Sequence, residues 1–185
     1  MRILTDVLKE KIGQEVTIAG WVHELRDLGG IKFLLLRDRK GLVQVTFLKK
    51  KVREEIFQKF SDLGREYVIQ VMGTVEKSDI AQVGIEIFPT SITILSEADS
   101  PLPLDPTQKV KADFDTRLNH RVLDLRSRSH QLVFHVQACL VSGFREFLEN
   151  EGFCEIHTPK IVATGTEGGT ELFPVQYFEN EAFLA

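Results

Sequence analysis

Residues 16–24, 32–38 and 42–48 are apolar stretches rich in β-branched and large side chains, bounded by turn residues, and each predicts a β-strand; in the third, polar Gln44 and Thr46 alternate with Val43, Val45 and Phe47. Gly29-Gly30 and Arg39-Lys40-Gly41 supply the turns between them. Residues 52–63 then switch to a helical period, because Val52, Ile56, Phe60 and Leu63 are spaced four, four and three apart and share one helix face. Residues 67–76 and 84–96 return to strand character on either side of a polar stretch, and a short helix over residues 3–11 precedes the first strand. Three strands, a helix and two strands, in that order, predict a five-stranded OB-fold β-barrel. Barrels of this kind present their second and third strands to single-stranded nucleic acid, and others bind sugars or proteins.

Pro101-Leu102-Pro103-Leu104-Asp105-Pro106 reads as a stiff, extended linker, since each proline fixes φ and turns the residue before it away from helix. The organisation predicted is a barrel over residues 1–100, a hinge linker over 101–115 and a second region over 116–185. In the second region, 116–126 is a short charged helical segment. Residues 129–151 form a longer helix with Val133, Val136, Leu140, Phe144 and Phe147 along one stripe. Gly152 is the helix stop, 153–157 a short strand ended by Pro159, and 160–170 a Gly/Thr-rich loop before Leu172-Phe173.

With 43% apolar and 27% charged residues among 185, the chain has material for packed cores and no compositional sign of disorder. It has no apolar run of membrane-spanning length and no signal-peptide block at its N-terminus, so a cytoplasmic location is expected. Cys139 and Cys154 fall on different elements, and no two histidines stand at i, i+4, so no metal site is expected. The net charge is −4, but residues 1–60 hold 13 Lys/Arg against 8 Asp/Glu, whereas residues 100–185 hold 8 against 12. The N-terminal region is therefore the better candidate for meeting phosphates.

Around the first hairpin, Trp21, Arg26, Lys32, Phe33 and Arg37 interleave aromatic and basic groups. Exposed rings stack on unpaired bases, and cations neutralise phosphates. Trp21, among Val16, Ile18 and Val22, reads as core; Phe33 fits burial and stacking equally. Gln44 and Thr46 alternate with Val43, Val45 and Phe47, which puts the amide and the hydroxyl on the wet face, and Glu86 lies likewise between Ile85 and Ile87. An amide donates and accepts at once, as the Watson–Crick edge of a base requires.

The run Trp21-Val22-His23-Glu24-Leu25-Arg26-Asp27-Leu28-Gly29-Gly30-Ile31-Lys32-Phe33, followed by Arg37-Asp38-Arg39 and Val43-Gln44-Val45, resembles the anticodon-binding domain of aspartyl-tRNA synthetases. The likeness continues through the Pro-Leu-Pro-Leu-Asp hinge and Asp115-Thr116-Arg117-Leu118. It extends to Gly152-Phe153-Cys154-Glu155-Ile156-His157-Thr158-Pro159-Lys160 and Thr166-Glu167-Gly168-Gly169-Thr170-Glu171-Leu172-Phe173, in the form of the archaeal-type branch. It implies that the second region is the N-terminal part, with helices, motif 1 strand and loop, of a class II α+β catalytic domain. Phe33 would stack on the middle anticodon base, with Arg26, Gln44 and Glu86 contacting anticodon bases. Glu167 would meet the α-ammonium of aspartate, and Pro159 would pack at a motif 1 homodimer interface. His23 stands where the family varies with acceptance of tRNA(Asn), and a histidine there resembles the relaxed form.

The implied activity is ATP- and Mg²⁺-dependent attachment of aspartate to tRNA(Asp), and to tRNA(Asn) as well in the relaxed form. In the family the residues that hold ATP and metal lie in motifs 2 and 3. No catalytic residue or metal ligand is therefore assigned within these 185 residues, and by themselves they are expected not to form aspartyl adenylate. A free tRNA-binding module and an asparaginyl enzyme are the alternative readings. Glu-Gly-Gly is shared with asparaginyl enzymes, while the Arg-Asp-Leu-Gly-Gly hairpin and the hinge favour aspartyl.

Overall fold

The computed structural model describes residues 2–163 and 173–184, and the chain divides into two compact units, Met1–Gln131 and Leu132–Ala185. In the first, β1 (Glu15–Asp27), β2 (Ile31–Arg37), β3 (Leu42–Leu48), β4 (Val68–Lys77) and β5 (Ile85–Ser96) close into a barrel in the order β1-β2-β3-β5-β4. Only the β3–β5 pairing is parallel. A period of two fills the interior with Val16, Ile18, Val22, Leu34, Leu36, Val43, Val45, Phe47, Ile69, Val71, Val75 and Ile87.

The apolar face of residues 52–63 is buried as its spacing requires, but as two pieces: α1 (Glu54–Gln58) and a 3-10 turn, Lys59–Asp62. The tighter turn brings the Phe60 ring edge-on to Phe47, with centroids 5.1 Å apart, plugging one end of the barrel. The N-terminal helix is likewise a 3-10 turn, Thr5–Lys11, with Leu8 buried. Its free amide at Thr5 donates to the Asp38 carboxylate across 2.8 Å, a cap supplied from the β2–β3 turn.

β1 departs from regular pairing with β2 between Val22, opposite Leu36, and Glu24, opposite Leu35; His23 is the extra residue of this bulge. After the barrel, Leu104 and Pro106 of the linker are buried, and the Asp105 carboxylate accepts from the Thr107 amide. Burial raises the pKa of Asp105, and the hydrogen bonds from Thr107 and Arg65 outweigh it and bring it to about 2. Two short helices follow, α2 (Phe114–Asn119), capped by the Asp113 side chain, and α3 (Arg121–Asp124). The buried Asp124 carboxylate takes Arg117, Arg121 and His130.

α4 (Arg128–Asn150) enters the second unit and ends in a Schellman turn: Gly152, at φ +86°, donates to the Glu149 carbonyl and Phe153 to that of Leu148. Its stripe of Val133, Val136, Leu140, Phe144 and Phe147 is exposed. The strand predicted over 153–157 does not form. The segment is exposed and joins no strand ladder among the described residues, and a strand requires a hydrogen-bonded neighbouring strand. The sheet of this unit is built from β6 (Ile161–Val162), β7 (Pro174–Tyr177) and β8 (Asn180–Leu184), in the order β6-β8-β7.

Candidate nucleic-acid interface

Pairing fixes which side chains stand side by side on the outer surface of the barrel. Arg26 lies opposite Phe33, and Phe33 opposite Thr46. One step along, Glu24 pairs Leu35, Leu35 pairs Gln44, Gln44 pairs Glu86 and Glu86 pairs Glu76. The residues Arg26, Phe33, Gln44 and Glu86 therefore lie together on one face, in two adjacent rows, with Phe33 half-buried rather than in the core.

Within these rows Gln44 Nε2 donates to Glu86 Oε2 across 3.2 Å and to Thr46 Oγ1 across 3.2 Å, and the Thr46 hydroxyl donates to the same Glu86 oxygen. Both protein donors converge on Oε2. Among the described residues no side-chain donor is found on the other carboxylate oxygen or the Gln44 carbonyl, and either can accept from an incoming donor such as an exocyclic amine. Arg26 Nε donates to Glu24 across 2.8 Å, and Lys109 of the linker reaches the same Oε1 at 2.5 Å. Those two hydrogen bonds hold the Glu24 carboxyl down to about 2.

Three aromatic and basic residues of the first hairpin are placed differently from their expected roles. Trp21 differs in parity from Val16, Ile18 and Val22, so it faces outward and is half-buried beneath two guanidiniums, Arg37 at 5.8 Å and Arg126 at 5.1 Å from the ring. Lys32 has the parity of Leu34 and Leu36. Its stem is buried and its ammonium lies over the Phe57 and Phe60 rings, 3.0 Å from Asp27. Arg37 is committed to Glu66, 2.7 Å away, and to His23. Neither Lys32 nor Arg37 is placed to meet phosphate. Exposed cations beside the rows include Arg26, Lys109 and the run Lys49, Lys50, Lys51.

His23, on its bulge, is half-buried with Nδ1 2.8 Å from Arg37 Nη1. Burial lowers its pKa below 6.5, and the Arg37 charge lowers it further. The ring is neutral at pH 7, so Nδ1 accepts from Arg37 and Nε2 carries the proton. Glu66 is the residue that sequence reasoning missed. It sits at 4% exposure in the turn before β4 with φ +65°, and its carboxylate joins Arg37 to Arg126. No local pattern marks it, because both of its partners are distant in sequence.

Pro159 is exposed and lies in an irregular segment of the second unit, and Glu167 lies outside the described residues. Among the described residues no three His, Cys, Asp or Glu side chains are grouped so as to hold a metal ion, and no helix is long and apolar enough to cross a membrane.

Residues 16–95 match the family described as OB-fold nucleic acid binding domain, and residues 113–185 match tRNA synthetases class II (D, K and N). The aspartate–tRNA(Asp/Asn) ligase of Methanopyrus kandleri is 58% identical over 97% of this chain and 42% of its own length. The aspartate–tRNA(Asp) ligase of Pyrococcus furiosus is 53% identical over 97% of this chain and 41% of its own. The solved asparaginyl-tRNA synthetase of Pyrococcus horikoshii, complexed with asparaginyl-adenylate, superposes with a TM-score of 0.86 at 31% identity, over 100% of this chain and 42% of that one. The chain thus spans about two fifths of the length of the curated relatives it matches.

Proposed function

Because the chain belongs to the class II tRNA synthetases of the D, K and N group, with an OB-fold nucleic-acid-binding domain ahead of its class II sequence, we propose that it is the anticodon-reading and motif 1 portion of an aspartate–tRNA ligase working in the cytoplasm. The carrying observation is the group on the outer barrel face: the Phe33 ring, with Arg26 on one side and the hydrogen-bonded Gln44, Thr46 and Glu86 on the other. Phe33 stacks beneath one unpaired anticodon base. Gln44 offers its carbonyl, and Glu86 its other oxygen, to base edges. Arg26, already turned by Glu24, donates to a base or its phosphate. Aspartate is favoured over asparagine because archaeal aspartate ligases are 58% and 53% identical to the chain, against 31% for the asparaginyl enzyme.

In the same reading Glu167 receives the α-ammonium of aspartate, a charge-assisted contact that a carboxylate suits. Pro159 and the exposed stripe of α4 meet a second copy in a homodimer. ATP and Mg²⁺ supply activation of the carboxylate in the whole protein. Among the described residues no three His, Cys, Asp or Glu side chains are grouped so as to hold the ion. Acceptance of tRNA(Asn) beside tRNA(Asp) rests on His23, the form that the resemblance associates with relaxed enzymes, and on the likeness to an aspartate–tRNA(Asp/Asn) ligase.

The test is titration of the chain with an anticodon stem-loop of tRNA(Asp). Phe33→Ala is expected to cost about 1–3 kcal/mol, the stacking of one base. Unchanged affinity would remove the ring from the site. Charging of tRNA(Asp) and tRNA(Asn) by the whole protein tests the reaction and its range, and failure to charge tRNA(Asp) would overturn the ligase assignment.

A further inference from the structure

Phe88 stands two residues beyond Glu86 on β5, so its side chain shares the outer face with Glu86, and it is half-buried. The parallel register sets Gln44 beside Glu86 and Val45 beside Ile87, and Thr46 and Phe88 each stand one residue further along their own strands. Thr46 pairs with Phe33 of β2 on one side and, on the other, bonds to Glu86, two residues before Phe88. One face of Phe88 is covered by Lys51, whose ammonium lies 3.5 Å from the ring centroid and 2.6 Å from each oxygen of Glu76. The Lys51 and Glu76 side chains are 41% and 39% exposed, so this ion pair contributes little and opens readily.

We propose that Phe88 is a second stacking platform for an unpaired RNA base, with Lys51 as its movable cover. The site extends the anticodon-reading role proposed above and rests on it. The occupant is a nucleotide of single-stranded RNA next to the one on Phe33, for two reasons. The ring stands on the same outer face as Phe33, two residues beyond the Glu86 that bonds to Thr46. The chain beside it carries three consecutive exposed lysines, Lys49, Lys50 and Lys51, which match a phosphate backbone in charge. When a base displaces the ammonium from the ring, Lys51 exchanges Glu76 for the phosphate joining the two nucleotides. A flat aromatic covered by a flexible cation therefore stays shielded from water without RNA and becomes available with it.

The experiment uses the full chain and anticodon stem-loops carrying 2-aminopurine at successive loop positions, with Phe88→Leu, Phe33→Leu and Lys51→Met variants. Leucine keeps the contact of Phe88 with the barrel core, and melting temperatures check folding. The expected result is that quenching at one loop position is lost in Phe88→Leu, and at the neighbouring position in Phe33→Leu. Affinity is expected to fall about five- to a hundred-fold in each. Lys51→Met keeps both quenched positions and lowers the salt slope by about one. If Phe88→Leu binds and quenches as the parent does while Phe33→Leu fails, the second platform is overturned and the anticodon reading stands. If the parent chain binds no stem-loop, both fall together.

Discussion

Glu66 and Arg37 form an ion pair, 2.7 Å between Oε2 and Nη2, in which the glutamate side chain is 2% exposed and the arginine 11%. Arg126 approaches the same oxygen, and both guanidiniums lie over the Trp21 ring. One carboxylate therefore ties β2 of the barrel to the segment after α3. A positive φ on a non-glycine residue is tolerated only where the surroundings over-determine it. Here the Glu66 amide donates to the Val22 carbonyl across 2.7 Å and the side chain is held at its other end. Glu66→Gln leaves two guanidiniums without their counter-charge. It is expected to destabilise the chain by about 3 kcal/mol, read by urea denaturation. The exposed Lys51–Glu76 pair, by contrast, contributes less than about 1 kcal/mol.

The same carboxylate acts on His23. Burial lowers the histidine pKa from 6.5, and Arg37 lowers it further, while the nearby negative charge of Glu66 opposes them. In an NMR titration His23 is expected to have a midpoint below 6.5, and Glu66→Gln should depress it again. Because the folded pKa lies below the unfolded one, the unfolded chain binds more protons between the two. The contribution of this group to stability is complete above pH 6.5 and declines as pH falls through that value. A midpoint above 6.5 would show that the ring carries its charge beside Arg37, contrary to the geometry.

Most of the barrel was legible because a two-residue period survives wherever one strand face is buried, and β2 and β4 keep it along their length. Applied strictly, the same parity places Trp21 outside and Lys32 inside. Weight given to their residue types, aromatic for core and basic for surface, is what misplaced them. The outward side of Gln44 and Glu86 was readable strand by strand, whereas Thr46, on the same face, is buried at 2% exposure among its neighbours. Their hydrogen bonding was not, since the β3–β5 register joins residues 42 positions apart. The His23 bulge and the Glu66 bridge are tertiary features with no local signature. The β7–β8 hairpin turns at Phe178 with φ +53°, where the sequence offers none of the Asn-Gly or Gly-Gly pairs that usually announce such a turn.

Glu86 carries the sharpest test of base reading. Its Oε2 already accepts from Gln44 and Thr46, so Glu86→Gln can keep that network while replacing a charged acceptor with a neutral amide. Loss of one charged hydrogen bond to a base edge is expected to weaken stem-loop binding by about 1.5–3 kcal/mol with little change in melting temperature. Substituting the contacted base should remove the difference between parent and variant. A variant equally weak on every sequence would place Glu86 outside base recognition.

Acid should loosen the linker. Glu24 is held to about 2 by hydrogen bonds from Arg26 and Lys109, against an ordinary 4.5. Its folded pKa is depressed, so the attachment of Lys109 to the barrel is fully present above pH 4.5 and is lost as pH falls toward 2. Lys109→Ala removes one of the two donors and is expected to raise the Glu24 midpoint, followed through its carboxyl ¹³C shift. An unchanged midpoint would mean that Arg26 alone sets it.

The backbone beneath the interface admits a final test. A Cβ placed on Gly20 would lie 2.2 Å from the Arg37 carbonyl oxygen and 2.9 Å from its carbon, an approach that only backbone movement relieves. The two strands touch there because β1 pairs Trp21 with Arg37 just beyond Gly20, before the bulge at His23. Gly20→Ala must therefore push β1 from β2 where Trp21, His23 and Arg37 meet, and a cost of about 1–3 kcal/mol is expected, as for other overpacked interiors. A methyl added at Gly30, at the tip of the same hairpin, would meet nothing within 4 Å, so Gly30→Ala should leave the melting temperature within a few degrees of the parent. Beyond stability, Gly20→Ala should shift the His23 midpoint toward 6.5, because separating the strands draws Arg37 away and admits water to the ring. Gly30→Ala should leave that midpoint unmoved.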